Sequence, residues 1–151
     1  MEHTPKELEI TAEFVILLVK LFNEDINLPR KELLKVKQNL IAILKLRVIN
    51  KWNVKKPKKG KKFRVLNFHH KIPGIIELSV VNSNIPRELL KNLPTNLVIS
   101  YNPNKVQYWL QGYKKESLNS NNIYLSAKYV KETVKVNREK LLTEQFMNLY
   151  L

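Results

Sequence analysis

Apolar residues recur at three- and four-residue spacing over Ile10, Phe14, Leu17, Leu18, Leu21 and Phe22, the signature of a helix with one wide apolar face. Ahead of them, Thr4-Pro5-Lys6-Glu7 reads as a helix start: Thr4 as the cap, Pro5 at the first helical position and Glu7 closing a capping box onto Thr4. A polar connection, Asn23 to Asn27, precedes a second helix that opens at Pro29. Leu33, Leu34, Leu40, Ile41, Leu44 and Val48 form its expected buried side, with Arg30, Lys31, Lys35, Lys37 and Lys45 outside. A connection of about five residues predicts an antiparallel pair.

The pattern then shortens. Phe63 to Phe68 is aromatic and β-branched and predicts a strand. Pro73 or Gly74 opens a short helix through Ile75, Ile76, Leu78 and Val81, and Pro86 starts another through Leu89, Leu90 and Leu93 that stops at Pro94. Leu97 to Tyr101 and Val106 to Leu110 read as strands around an Asn102-Pro103-Asn104 turn. A polar loop, Gln111 to Asn122, leads to an expected third strand at Ile123-Tyr124-Leu125. Lys128 to Leu151 predicts one or two terminal helices with a stripe at Leu141, Leu142, Phe146, Leu149 and Tyr150. Helices followed by antiparallel strands make the class α+β, with an N-terminal antiparallel helix pair and short helices packed on a small antiparallel β-sheet. The expected organisation is one domain over residues 1–126 and a C-terminal helical extension over 127–151.

Charge changes the picture at one place. Nine of the 21 residues from Lys51 to Lys71 are Lys or Arg and none is acidic, within a chain of net charge +14. Such a segment suits polyanions, and Lys55, Lys56, Lys58, Lys59, Lys61 and Lys62 are the candidate phosphate contacts of a nucleic-acid-binding reading. A solvated loop, or an AT-rich coding sequence, accounts for the same lysines without a ligand. Trp52 is expected to pack beneath the loop. The absence of Cys excludes disulfides and thiolate chemistry. His69-His70 stands alone, and adjacent residues on a strand point apart, so no metal site is expected. The acids are scattered and Gly is scarce, so neither acid–base catalysis nor a phosphate-cradling loop is indicated. No enzyme and no cofactor are expected. No apolar run reaches 18 residues, so no membrane span is expected, and the N-terminus lacks a basic leader, so an intracellular protein is expected.

Several of these residues together carry a resemblance. Lys51-Trp52, then Lys56-Pro57-Lys58-Lys59-Gly60, Phe63-Arg64, His70-Lys71 and Ile75-Ile76 resemble the first signature box of the BTG/Tob antiproliferative domain. Leu93-Pro94-Thr95-Asn96-Leu97 and Asn102-Pro103, Val106 and Tyr108 resemble its second box, in the same order and at similar spacing. The resemblance spans roughly Glu9 to Leu125.

That resemblance implies a non-catalytic adaptor. It would dock on the nuclease subunit of the cytoplasmic mRNA deadenylase complex, or on transcription regulators, and act in cytoplasm and nucleus on mRNA turnover, proliferation or cell fate. The implied docking residues fall on Phe63, Ser100, Tyr101 and Asn102. Three depart from the family pattern: Phe63 stands for a tyrosine, Ser100 for a tryptophan and Asn102 for an aspartate. Tyr101, Tyr108 and Trp109 are candidates for a displaced aromatic anchor. Leu40-Ile41-Ala42-Ile43-Leu44 lies where relatives carry a leucine-rich helical motif and is expected to be core. The alternatives are direct binding of RNA, contact with RNA-binding proteins, or a self-assembling scaffold that forms a homo-oligomer.

Overall fold

The computed structural model describes residues 3–61 and 64–150, with the side chain of Tyr150 excepted. The first helix, α1, spans Lys6–Leu21 and the second, α2, Arg30–Val48. They run antiparallel as expected: Lys20 and Arg30 line one groove, while Lys37 reaches back to Glu13 at 2.6 Å. Thr4 does not cap α1. Pro5 occupies the cap position, no side chain caps the helix, and the Leu8 amide donates to the Pro5 carbonyl at 3.1 Å. In α2 the buried stripe is Leu33, Val36, Leu40, Leu44 and Val48, and Leu34 is half exposed because it sits about 100° from that stripe. Leu40 and Leu44 are fully buried, so the leucine-rich stretch faces the core through its two leucines, with Ala42 exposed.

The sheet is a four-stranded antiparallel meander in the order β1 (Val65–Asn67), β2 (Leu97–Asn102), β3 (Lys105–Leu110) and β4 (Glu116–Leu118). Strand β1 is shorter than the expected Phe63–Phe68, although the Phe68 amide still donates to the Leu97 carbonyl at 2.9 Å; Lys62 and Phe63 lie outside the described residues. Between β1 and β2 come α3 (Gly74–Ser79) and a 3-10 helix (Arg87–Asn92) where a further α-helix is expected. Six residues between Pro86 and Leu93 hold the tighter turn, closed by the Leu93 amide on the Leu90 carbonyl at 3.1 Å.

The third meander strand is not at Ile123–Leu125. It lies in the polar stretch before it, with Val106 opposite Leu118 and Gln107 opposite Ser117. Asn119 and Asn122 then start a helix: the Asn119 side chain accepts from the Asn122 amide at 3.0 Å, and the Asn122 side chain accepts from the Asn119 amide at 2.9 Å. This reciprocal cap opens α4, one helix over Ile123–Tyr150. Residue 126, the expected domain edge, falls inside it. Ala127, Val130 and Val134 of α4 are buried in the core, whereas Leu141, Leu142, Phe146 and Leu149 are exposed.

Helix α1 sits at the centre, touching α2, α4, β2 and β3. Phe14 meets Tyr108 of β3 with ring centroids 5.0 Å apart. Strand alternation puts Leu97, Ile99, Tyr101, Val106, Tyr108 and Leu110 on this inner side, all buried.

Burial pushes the Tyr101 phenol up to about 12, with the charges of Arg47 and Arg64 working against the rise. The unfolded chain loses that proton near pH 10, so the folded state holds it longer and stability falls as pH rises from about 10 towards 12, by about 2–3 kcal/mol. Urea unfolding at pH 8 and pH 11.5 is expected to show this decline, and Tyr101→Phe to lessen it.

Candidate functional site

Arg64 immediately precedes β1 and is completely buried. Its Nε donates to the Asn102 side-chain oxygen at 3.0 Å, Nη1 to the carbonyls of Lys51 at 3.0 Å and Lys59 at 2.8 Å, and Nη2 to the Pro57 carbonyl at 2.5 Å. A guanidinium has five donors and no acceptor, so this one side chain gathers three points of the basic loop and the end of β2. Gly60 has φ 76, which favours glycine, and a Cβ there would press on Arg64 Nη1 at 3.2 Å. The Trp52 ring lies 5.8 Å from Arg64 Cζ and packs half-buried against the core, as expected. Asn53 adds a turn by accepting from the Lys55 and Lys56 amides.

The loop is therefore a built object. Lys55, Lys56, Lys58, Lys59 and Lys61 are exposed on it. Burial pulls Arg64 below its ordinary pKa, with Tyr101 working the other way. None of the ion pairs among the described residues includes Arg64. Its charge is met by carbonyl dipoles and one amide.

Asn102 binds Arg64 with its oxygen and donates through Nδ2 to Ser100 Oγ at 2.9 Å. Of the expected docking residues, Asn102 is half-buried, Ser100 is buried beneath that contact, and Phe63 lies outside the described residues. Tyr101 is 0% exposed. It faces the core by strand alternation and offers no ring to a partner. Tyr108 is buried for the same reason, which leaves Trp109 as the one candidate anchor on the outer side. Leu93, Pro94, Pro103, Val106 and Tyr108 are buried, so these motif positions build the core.

His69 and His70 occupy a turn after β1 and do not point apart as strand neighbours would. His70 takes φ 69, its ring lies 3.7 Å from that of His69, and its amide donates to the Thr95 carbonyl at 3.3 Å. The Asn67 side chain accepts from the His69 amide at 2.9 Å. The turn is thus held by backbone and Asn67, with His70 and Lys71 exposed. Among the described residues no group of three or more His, Cys, Asp or Glu could hold a metal ion.

The outer face of the sheet carries Val65 and Asn67, Val98 and Ser100, Gln107 and Trp109, and Ser117. At one end lies a groove of about 220 Å³ lined by Asn67, His69, Asn96, Val98, Trp109 and Gln111. Sequence reasoning missed it, although period-two alternation from the buried Tyr108 already places Trp109 and Gln107 together outside.

Comparison with known proteins adds the family. The BTG family model matches residues 5–120. The chain belongs to the BTG family. It also resembles the solved BTG/Tob domain of C. elegans FOG-3, in a doubly substituted form, with a TM-score of 0.61 and 23% identity, covering 74% of this chain and 86% of that one. That likeness shows the shared α+β fold. No curated protein matches. BTG/Tob domains are non-catalytic regulatory domains that work through protein interactions. The BTG match ends before α4 begins.

Asn102→Asp would set a carboxylate against the buried Arg64 guanidinium and turn a neutral acceptor into a charge-assisted one. The variant is expected to gain about 1 kcal/mol over wild type in urea unfolding at pH 7.

Proposed function

We propose that this BTG-family chain is a non-enzymatic adaptor that recruits the nuclease subunit of the mRNA deadenylase complex, in cytoplasm and nucleus, to control transcript turnover. The observation that carries this reading is the junction of the two signature boxes. Arg64 of the first box and Asn102 of the second are hydrogen-bonded at 3.0 Å, beside Ser100 on the outer strand face. A docking surface at this junction would keep its polar support and lack the aromatic expected at its centre. A buried Trp is a frequent hot spot, with truncation costing about 2 kcal/mol or more, so the present chain should bind this partner more weakly than a chain that keeps it. Calorimetry with the purified nuclease subunit tests this. Wild type is expected to bind at micromolar affinity and Ser100→Trp about tenfold or more tighter. Binding by Ser100→Trp alone would mean that the chain has left this partner, and binding by neither would overturn the adaptor reading.

A second reading is favoured by the loop itself: Lys55, Lys56, Lys58, Lys59 and Lys61 are exposed on a turn pinned from beneath by Arg64, so their order is fixed before any ligand arrives. This is a candidate phosphate-contacting patch for RNA. If about four of these lysines meet phosphates, the affinity for a single-stranded oligonucleotide should fall with a log–log salt slope near −3. Lys58→Glu with Lys59→Glu is expected to lower the affinity and flatten that slope, as fluorescence anisotropy would show. A slope near zero in wild type would end this reading.

A further inference from the structure

The groove at the other end of the outer face has a chemistry of its own. Trp109 is half-exposed at its wall, opposite Val98 in the strand register, and Lys115 lies 4.6 Å above the indole. Asn67, Asn96 and Gln111 bring side-chain amides to the rim, with His69 beside them. The side-chain amides of Asn96, Gln107 and Gln111 make no hydrogen bond to another described residue, and the Asn67 side chain uses only its oxygen, on the His69 backbone amide. These groups are donors and acceptors with capacity to spare.

No carboxylate faces this surface from the strands. The alternation of β4 turns Glu116 to the inner side opposite Tyr108, and its carboxylate lies 3.9 Å from Lys114. The cation at the groove is Lys115, over the indole, and Lys71 follows His69 by two residues; both are exposed. An open sheet face with one indole, a ring of amides and only positive charge at its edge fits a flat, aromatic, anionic ligand with hydrogen-bonding edges. That is the description of an unpaired nucleotide.

We propose that this groove is a base-stacking site for single-stranded RNA. Trp109 stacks one base, displacing Lys115 from the ring. The lysine is exposed and its hold on the indole is weak, so it is available to the phosphate that follows. Asn67, Asn96 and Gln111 bond the base edge and the 2′-hydroxyl. The inference adds a site for bases to the loop's reading as a site for phosphates, and it is independent of the adaptor reading.

The test is anisotropy with a labelled ten-nucleotide RNA, using the full chain as wild type, Trp109→Ala, Trp109→Phe, and the Lys58→Glu, Lys59→Glu pair. Thermal unfolding verifies that each variant folds. Trp109→Ala is expected to weaken binding by about 5- to 100-fold with an unchanged salt slope, because a stacked base carries no charge. Trp109→Phe should restore much of the affinity. If Trp109→Ala should fail to fold, Trp109→Phe and quenching of indole fluorescence by RNA carry the test: no quenching overturns the proposal. Binding by Trp109→Ala equal to wild type would overturn it while leaving the loop reading intact. Equal affinity for duplex RNA, or for single-stranded DNA of the same sequence, would also overturn it. Loss of nuclease-subunit binding with RNA affinity unchanged in Trp109→Ala would reassign the groove to a protein partner.

Discussion

A single guanidinium closes the middle of this molecule. Arg64 is fully buried and donates to Lys51, Pro57 and Lys59 carbonyls and to Asn102. Without it the basic loop would be a run of mutually repelling lysines held only by its local turns. Carbonyl dipoles replace a counter-ion, and the cost of desolvating a charge is met only because nearly every donor has a partner. Removing any one of these acceptors would leave a buried donor unmatched, which is why Gly60, Pro57 and Arg64 belong to one unit. The unit also explains why the lysines are outside: the backbone turns its carbonyls inward to the guanidinium, and the side chains are sent to solvent.

From that pin the geometry spreads in two directions. Through Asn102 it reaches the end of β2 and the bond to Ser100, so the two signature boxes meet in one polar contact at the edge of the sheet. Through Trp52 it reaches the core, where α1 lies between α2, α4 and the inner face of β2 and β3. The sheet thus has one face committed to packing and an outer one on which Val98, Gln107 and Trp109 are half-exposed. That outer face divides into a region beside Ser100, where the two boxes meet, and a groove around Trp109, rich in side-chain amides. On the two proposals above, a protein partner and a single strand of RNA would occupy neighbouring parts of it.

The terminal helix follows a different rule. Its first turns bury Ala127, Val130 and Val134 against α1, and beyond them the same helix continues with Leu141, Leu142, Phe146 and Leu149 exposed. A helix persists there because its packed half nucleates the rest, propagation being far easier than starting anew.

The sequence by itself determined the helix pair, the α+β class and the β2–β3 hairpin, because each rests on short-range information: three- and four-residue spacing over Phe14 to Leu21 and Leu33 to Val48, alternation about Pro103. The order of the two boxes also carried the family. Position β4 was not legible, since Glu116, Ser117 and Leu118 have no strand pattern of their own and are held by pairing with β3. The Ile123–Leu125 run looked like a strand because its helix start depends on a cap formed between two asparagines. Burial of Tyr101, the structural role of Arg64 and the Trp109 groove were decided by the tertiary structure alone. Each depends on residues far apart in the chain, 38 positions for Arg64 and Asn102, and only folding sets which face of a strand meets the core and which groups a buried charge can reach.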